Sequence, residues 1–306
     1  MSFFLFPYQL SFEGRRLWTI IVMLLFIPSP MHSQPLDHFD SSLLSPVQKG
    51  EFLLARSLND EALRLYQSLI SEGKEGGYAF RGMVRAYESM DKLEEAKSWI
   101  NGFLVDNPSS SPALYAAGYI YYLQKDMGKA KQIFNQALEF NANNALALNN
   151  LGAVLSHQKL YAQGAKQVRA AISINPKEPM FFYNLESIYK KMGNPGLIIA
   201  DYNLSLERGF PNLSRGYGMA VGRSMRQTGF RLYSEGRLDD AILKFMEIET
   251  VYKNIKHQLG LVPVYFSLGL LHEERGDLQN AKKFFNLVLT FNPLHIQAKE
   301  RVKNLQ

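Results

Sequence analysis

The sequence predicts an all-α fold built as an array of repeated helix–turn–helix units, and three observations carry that prediction. Alanines recur at Ala62, Ala96 and Ala130, spaced by 34 residues. Each begins an i, i+4, i+7 apolar set, namely Tyr66 and Leu69, Ile100 and Phe103, Phe134 and Ala137, which is the spacing of one face of an α-helix. The same triplet returns as Ala241, Phe245, Ile248 and as Ala281, Phe285, Val288. A fixed period held without drift distinguishes an array from an irregular helical bundle with chance Ala-x3-Phe pairs.

The N-terminal 33 residues stand apart. Arg15 and Arg16 precede an apolar run from Leu17 to Ile27, interrupted by Thr19 and ended by Pro28. This pattern predicts a secretory signal peptide with a cut after Ser33. The run is shorter than the ~20 residues that cross a bilayer, so an uncleaved anchor, with residues 17–27 as a membrane tether, is the alternative. A chain whose start is misjudged is the third reading. Residues 34–42 lie in a Ser-, Asp- and Pro-rich stretch that predicts a flexible lead-in. The chain has no cysteine, which excludes disulfides, thiolate metal sites and a cysteine nucleophile. An exported protein so built is held by its core alone. The hydrophobic fraction of 46% supplies that core, and 34 Lys+Arg against 28 Asp+Glu leave a net charge of +6 spread along the chain.

Upstream of each alanine triplet lies a second helical face, as in Phe80, Met83, Tyr87, in Leu114, Ala117, Tyr121, in Leu148, Leu151, Leu155, and in Tyr265, Leu268, His272. Small residues fall where paired helices must approach, at Gly118, Gly152, Gly229 and Gly269 in the first helix and at the alanines in the second. The turns carry Gly193, Gly236 or Gly276, and Asn107-Pro108, Asn175-Pro176 and Asn292-Pro293 end second helices.

These residues resemble the tetratricopeptide repeat, a 34-residue unit with a large residue, Leu-Gly, Tyr, Ala, Phe and Pro at fixed offsets. Tyr265, Leu268-Gly269, Gly276, Ala281, Phe285 and Pro293 match it best. The resemblance implies a right-handed superhelical solenoid of seven units over 43–295, beginning near Leu43, Gly77, Ser111, Ala145, Pro179, Gly222 and Val262. Several units depart from the pattern. Pro46 and Lys49 replace large apolar residues in the first unit, which reads as an end cap, and Gly164 and Ile198 replace the alanine in the fourth and fifth. Pro176 to Pro293 is 117 residues, three periods plus 15, which predicts insertions at 213–221 and 256–261. Residues 296–306 predict a charged capping helix with Ile296, Val302 and Leu305 inward.

No pattern of residues points to catalysis. Gly216, Gly218 and Gly222 superficially suggest a dinucleotide loop, but no strand precedes them and the third glycine comes one place late. They read as a flexible insertion, and an enzyme sited there is the least favoured function. The histidines at 32, 38, 157, 257, 272 and 295 are scattered, without the i, i+4 carboxylate company of a metal site; His272 reads as a packed core residue. Neither cofactor nor metal is predicted. Basic residues are dispersed among acids, which argues against nucleic acid.

What remains is a protein- or peptide-binding surface, with no enzymatic activity. In the family resembled, first helices line a concave groove. The corresponding positions here are Tyr78, Arg81, Arg85, Tyr115, Tyr119, Tyr122, Leu146, Asn149, Ser156, Met180, Tyr183 and Lys190, followed by Arg226, Phe230 and Tyr233. Tyrosine and arginine are favoured anchors of binding surfaces. Chaperone-binding members grip a terminal carboxylate with lysines, arginine and asparagines; Tyr115, Tyr119, Met180 and Asn184 occupy those offsets, so that clamp is not expected. The expectation is a partner-binding module that is periplasmic or secreted, or a membrane-anchored scaffold using its convex surface or its ends.

Overall fold

A computed structural model describes residues 44–74 and 76–305. The signal or anchor segment 1–33 and the lead-in 34–42 lie outside the described residues. The described residues contain fifteen helices and no strand. They are α1 (Pro46–Ala55), α2 (Asn59–Ser71), α3 (Gly76–Ser89), α4 (Leu93–Asp106), α5 (Ser111–Leu123), α6 (Met127–Phe140), α7 (Ala145–His157) and α8 (Tyr161–Ile174). There follow α9 (Pro179–Lys191), α10 (Leu197–Glu207), α11 (Pro211–Ser234), α12 (Leu238–Asn254), α13 (Gln258–Glu274), α14 (Leu278–Phe291) and α15 (Ile296–Asn304). The fold is all-helical, in successive helix–turn–helix pairs closed by one single helix. Two compact units divide between Ala200 and Asp201. The division falls inside α10, in the repeat where Glu186 and Ile198 stand at positions that carry small residues in most other units.

The same turn joins the two helices of each pair. One residue per turn takes the left-handed conformation, at Ser57 (φ 60°), Asp91 (58°), Lys125 (64°), Lys159 (61°), Gly193 (77°), Gly236 (79°) and Gly276 (83°). The next N–H then closes on a carbonyl five residues back, as in Asp126 N to Tyr121 O at 2.9 Å and Asp277 N to His272 O at 2.9 Å. This satisfies carbonyls left open at the helix end. Glycine meets the turn without strain, whereas a side chain there costs roughly 1–2 kcal/mol.

Packing within pairs sets a small residue of the first helix against a bulky one of the second. A Cβ on Gly118 would lie 2.7 Å from the Phe134 ring, on Gly229 2.9 Å from Phe245, and on Gly269 2.5 Å from Phe285. Tyr66 of α2 is enclosed between Gly50 of α1 and Gly82 of α3. In the α7–α8 pair the backbones themselves meet, since a Cβ on Gly164 would lie 2.7 Å from the Gly152 carbonyl oxygen. Alanine, glycine and aromatic positions therefore act together to fix the helix separation, and Ala62, Ala96, Ala130, Phe134, Phe245 and Phe285 are fully buried.

Three expectations are corrected. The first-unit helix forms despite Pro46 and Lys49: Pro46 sits in the first turn, where it lacks no needed N–H, and Ser45 and Gln48 cap the helix start reciprocally. The segment 213–221 is not a loop but lies within α11, and 258–261 begin α13. The 15 additional residues lengthen α11 to 24 residues and α12 and α13 to 17 each, against 13 or 14 in α3 to α8. The glycines of 216–222 are buried, Gly218 against Ile255 and Tyr202 and Gly222 against Tyr252. Finally, Ile296 is 71% exposed while Ala298 is buried, with Val302 and Leu305 half-buried. Ala298, Val302 and Leu305 keep i, i+4, i+7 spacing, and Ile296 lies about 200° around the helix from Ala298.

Two substitutions five residues apart test this packing with opposite signs. Gly164→Ala forces backbones apart and is expected to lower stability by about 1–3 kcal/mol. Lys159→Gly relieves the left-handed turn and is expected to raise stability by about 1 kcal/mol. Denaturant midpoints of the two variants against the parent chain check both.

Candidate functional site

The candidate site belongs to the unit ending at Ala200, where one face of α3, α5, α7 and α9 converges. Tyr78 and Arg81 lie a turn apart on α3, with the Arg81 guanidinium 5.0 Å over the Tyr78 ring. Arg81 Nη1 is 3.5 Å from Glu178 Oε2, and Nη2 is 3.8 Å from Glu51 Oε1. Arg85 donates to the other oxygen of Glu51. Beside them Asn175 Nδ2 donates to the Tyr78 hydroxyl at 2.6 Å. Both Tyr78–Asn175 and Arg81–Glu178 join residues 97 positions apart. A polar clasp thus ties the second repeat to the loop that enters α9, across the face the first helices share.

Beneath the clasp Tyr115 is fully buried. Its ring stacks on Tyr119 at 6.1 Å and on Phe134 at 6.1 Å. Its hydroxyl and Arg81 Nε have no hydrogen-bond partner among the described residues. Burial pushes the Tyr115 phenol far above its ordinary value, opposed by the charge of Arg81. Burial likewise raises Tyr78, Tyr119 and Tyr122, which favours the neutral phenol at all four. Burial works against the charge on Arg81, yet Tyr115, Glu178, Glu51 and Tyr78 outweigh it and hold the guanidinium above its usual value. A second polar link runs between α7 and α9. Asn184 Nδ2 donates to Asn149 Oδ1 at 2.9 Å, and Asn149 Nδ2 donates to Asn150 Oδ1 at 2.9 Å.

The sequence-derived groove therefore divides in two. Tyr78, Arg81, Tyr115 and Asn149, on the N-terminal halves of their helices, are half-buried to fully buried and largely contact one another or neighbouring repeats. Tyr115 is corrected from a surface residue to a core residue. The cause is close approach: a Cβ on Gly77 would lie 3.0 Å from Leu146 and 3.9 Å from Tyr115. The C-terminal halves of α3, α5 and α9 are more open, whereas Ser156 on α7 is corrected from a groove residue to a buried one. Arg85 and Lys190 keep 39% and 40% of their side chains exposed, with Lys190 Nζ 2.5 Å from Glu186. Tyr119 and Tyr122 are half-buried, stacked at 6.5 Å, with Tyr122 edge-on to His157 at 6.0 Å. Tyr183 is half-buried on α9.

Sequence reasoning missed Glu51, Asn175 and Glu178. Glu51 stands 34 residues before Arg85, and the offsets applied to later repeats would have found it in the first. In the sequence Asn175 reads as punctuation with Pro176, and nothing local in Glu178 signals a contact 97 residues away. Among the described residues no group of three metal-ligating side chains occurs, and no helix is long and apolar enough to cross a membrane.

Tyr115→Phe deletes a buried, unpaired hydroxyl and is expected to leave stability unchanged or raise it by about 1 kcal/mol, whereas Tyr115→Ala loses about 3–5 kcal/mol; melting curves of both check this. Because burial raises the Tyr66 and Tyr115 phenols above the ordinary tyrosine value of ~10, the stabilisation from keeping them neutral is complete below that value. It is lost as pH rises toward their folded-state values. Ultraviolet titration of tyrosinate alongside circular dichroism should show these two ionising only with loss of helix.

Two segments, 111–144 and 262–293, match the tetratricopeptide repeat family model. The chain is similar to a TPR repeat-containing protein of Methanocaldococcus jannaschii, 26% identical over 65% of this chain and 35% of that one. It is also similar to the CTR9 homolog of Arabidopsis thaliana, 22% identical over 81% of this chain and 22% of that one. The chain thus spans about a third or less of the length of these relatives. Among solved structures it is similar to YrrB, described as a TPR protein with an unusual peptide-binding site. The identity is 16% and the TM-score 0.34, over 67% of this chain and 97% of that one. It is also similar to MamA, at 18% identity and TM-score 0.37, over 52% of this chain and 94% of that one. The all-helical chain therefore resembles tetratricopeptide repeat proteins, with 111–144 and 262–293 as the segments that match the family model.

Proposed function

We propose that this chain is a non-enzymatic module that holds an extended segment or a helix of another protein on the open strip Arg85, Tyr119, Tyr122 and Lys190. The observation that carries this reading is the stacked Tyr119–Tyr122 pair, left half-open beside a clasp that closes the rest of the face. Tyrosines held by stacking lose little entropy when a partner covers them and present a polar tip with a large apolar ring. The clasp fixes the helices that bear them, so the strip needs no ordering on binding. The tetratricopeptide repeats support a protein-interaction role.

The module acts outside the cytoplasm, in the envelope or beyond. Support for this comes from Arg15-Arg16 and the apolar run 17–27. A membrane-anchored scaffold that works through its ends or, on its convex surface, through its second helices is the other reading. It is favoured by exposed apolar side chains on them, Val105 at 79% and Phe140 at 56%. The mass of the mature chain separates the two, since retention of residues 1–33 favours the anchor.

Pull-down from an envelope fraction with the parent chain and with Tyr119→Ala/Tyr122→Ala tests the strip. Tyr115 is left intact because its truncation would damage the core. Each aromatic anchor is worth about 2 kcal/mol, roughly 30-fold in affinity, so the double variant should lose partners that the parent retains. An unchanged set of partners would remove the strip from the account.

A further inference from the structure

The other unit carries a charged surface that the reading above does not use. Helix α11 holds Arg215, Arg223, Arg226 and Arg231 and no acidic residue in its 24 positions. Its uncovered strip is narrow over the N-terminal half and widens from Gln227 on, where Gln227, Arg231 and Ser234 are also exposed. Arg215 and Arg223 are exposed, and Met219, Arg226 and Phe230 are half-buried. Gly216, Tyr217 and Ala220 are buried on one flank, and Gly218, Gly222 and Gly229 on the other. Arg231 lies off the line from Arg215 to Arg226 and pairs with Glu235 at 2.5 Å. Among the described residues Arg215 and Arg226 form no ion pair. The charge of Arg215 is felt nearby: burial first, and then Arg215, hold the His257 imidazole below its ordinary value. An unneutralised cation beside a histidine is the opposite of the Arg81 arrangement, where two carboxylates of the chain itself lie close by.

We propose that this strip is a second docking surface, independent of the Tyr119–Tyr122 strip, and that its occupant is an acidic, partly apolar segment of another protein. Arg215 and Arg226 are eleven residues and nearly one helical direction apart, which separates them by ~16 Å along the axis. An extended segment covers that distance in about five residues, and because alternate side chains face opposite sides, carboxylates four or six residues apart meet both guanidiniums. Met219 and Phe230 offer apolar contact along the same line, and Phe230 is braced edge-on by Phe245 at 5.4 Å. A nucleic acid fits less well, because its strand carries a charge every ~3.4 Å and most phosphates between the two arginines would stay unneutralised. The neighbouring α12 brings acids as well as bases, with Lys244 paired to Glu247 and Lys253 to Glu249, so the positive surface is no wider than the strip.

Fluorescence anisotropy of a labelled ten-residue peptide carrying two glutamates four residues apart, with leucine and serine at its other positions, measured with the full chain at low salt, tests the assignment. The parent is compared with Arg215→Glu/Arg226→Glu and with Arg231→Glu/Arg237→Glu, an equal charge change at exposed sites off the line from Arg215 to Arg226. The expected result is binding that weakens at least tenfold in the first variant and less than threefold in the second, with circular dichroism spectra unchanged. Equal weakening in both variants, no weakening in the first, or no binding by the parent overturns the proposal. Tighter binding of a single-stranded oligonucleotide or of phosphatidylserine vesicles than of the peptide overturns the choice of occupant.

Discussion

The contact on which the rest of the molecule depends is the one between a small residue of a first helix and a bulky residue of the second helix beside it. Gly118 beneath Phe134, Gly229 beneath Phe245 and Gly269 beneath Phe285 bring each pair closer than side chains on both helices would allow. Close packing of this kind tolerates little change in volume on either side. It also decides which surface is left for function. The second helices bury these aromatics within the repeat, so the first helices present the remaining tyrosines and arginines. In the fifth repeat Glu186 and Ile198 occupy the small-residue positions, and the chain divides into two compact units there.

Within the unit that ends at Ala200, one helical face serves two purposes along its length. Its N-terminal part is structural. Arg81 is nearly buried and lies between Glu51 and Glu178, an arrangement that must offset the desolvation of three charges and whose best-attested benefit is fixing register. The clasp joins repeats three apart, so the curvature of this unit is held by specific polar contacts as well as by neighbour-to-neighbour packing. The C-terminal part, where Arg85 alone joins the clasp, keeps Tyr119 and Tyr122 half-exposed. In the other unit Arg215 and Arg226 form no ion pair among the described residues, so the second surface proposed there suits a different partner.

The period, the helix faces and the burial of Ala62, Ala96 and Ala130 were legible because repeats write the same packing constraint into the sequence several times. The turns were legible in three repeats only. Ser57, Asp91, Lys125 and Lys159 adopt the same left-handed geometry as Gly193, imposed by helix pairing against local preference. Counting residues measured the 15-residue excess but not its conformation, since a longer helix and a loop insertion break the period alike. Tyr115 was misplaced for a related reason. Repeat offsets say which way a residue points but not how closely the next repeats approach that face, and Gly77, Leu146 and the clasp close it over Tyr115. Contacts spanning 97 residues leave no local trace.

The central claim is that the first helices, and not the second, meet the partner. Replacing Tyr122 of α5 and, separately, exposed Asn135 of α6 with a photo-crosslinking amino acid in cells tests it most directly. The account predicts a specific protein adduct from position 122 and none from position 135. An adduct from position 135 with none from position 122 would place the partner on the outer helices and contradict the account.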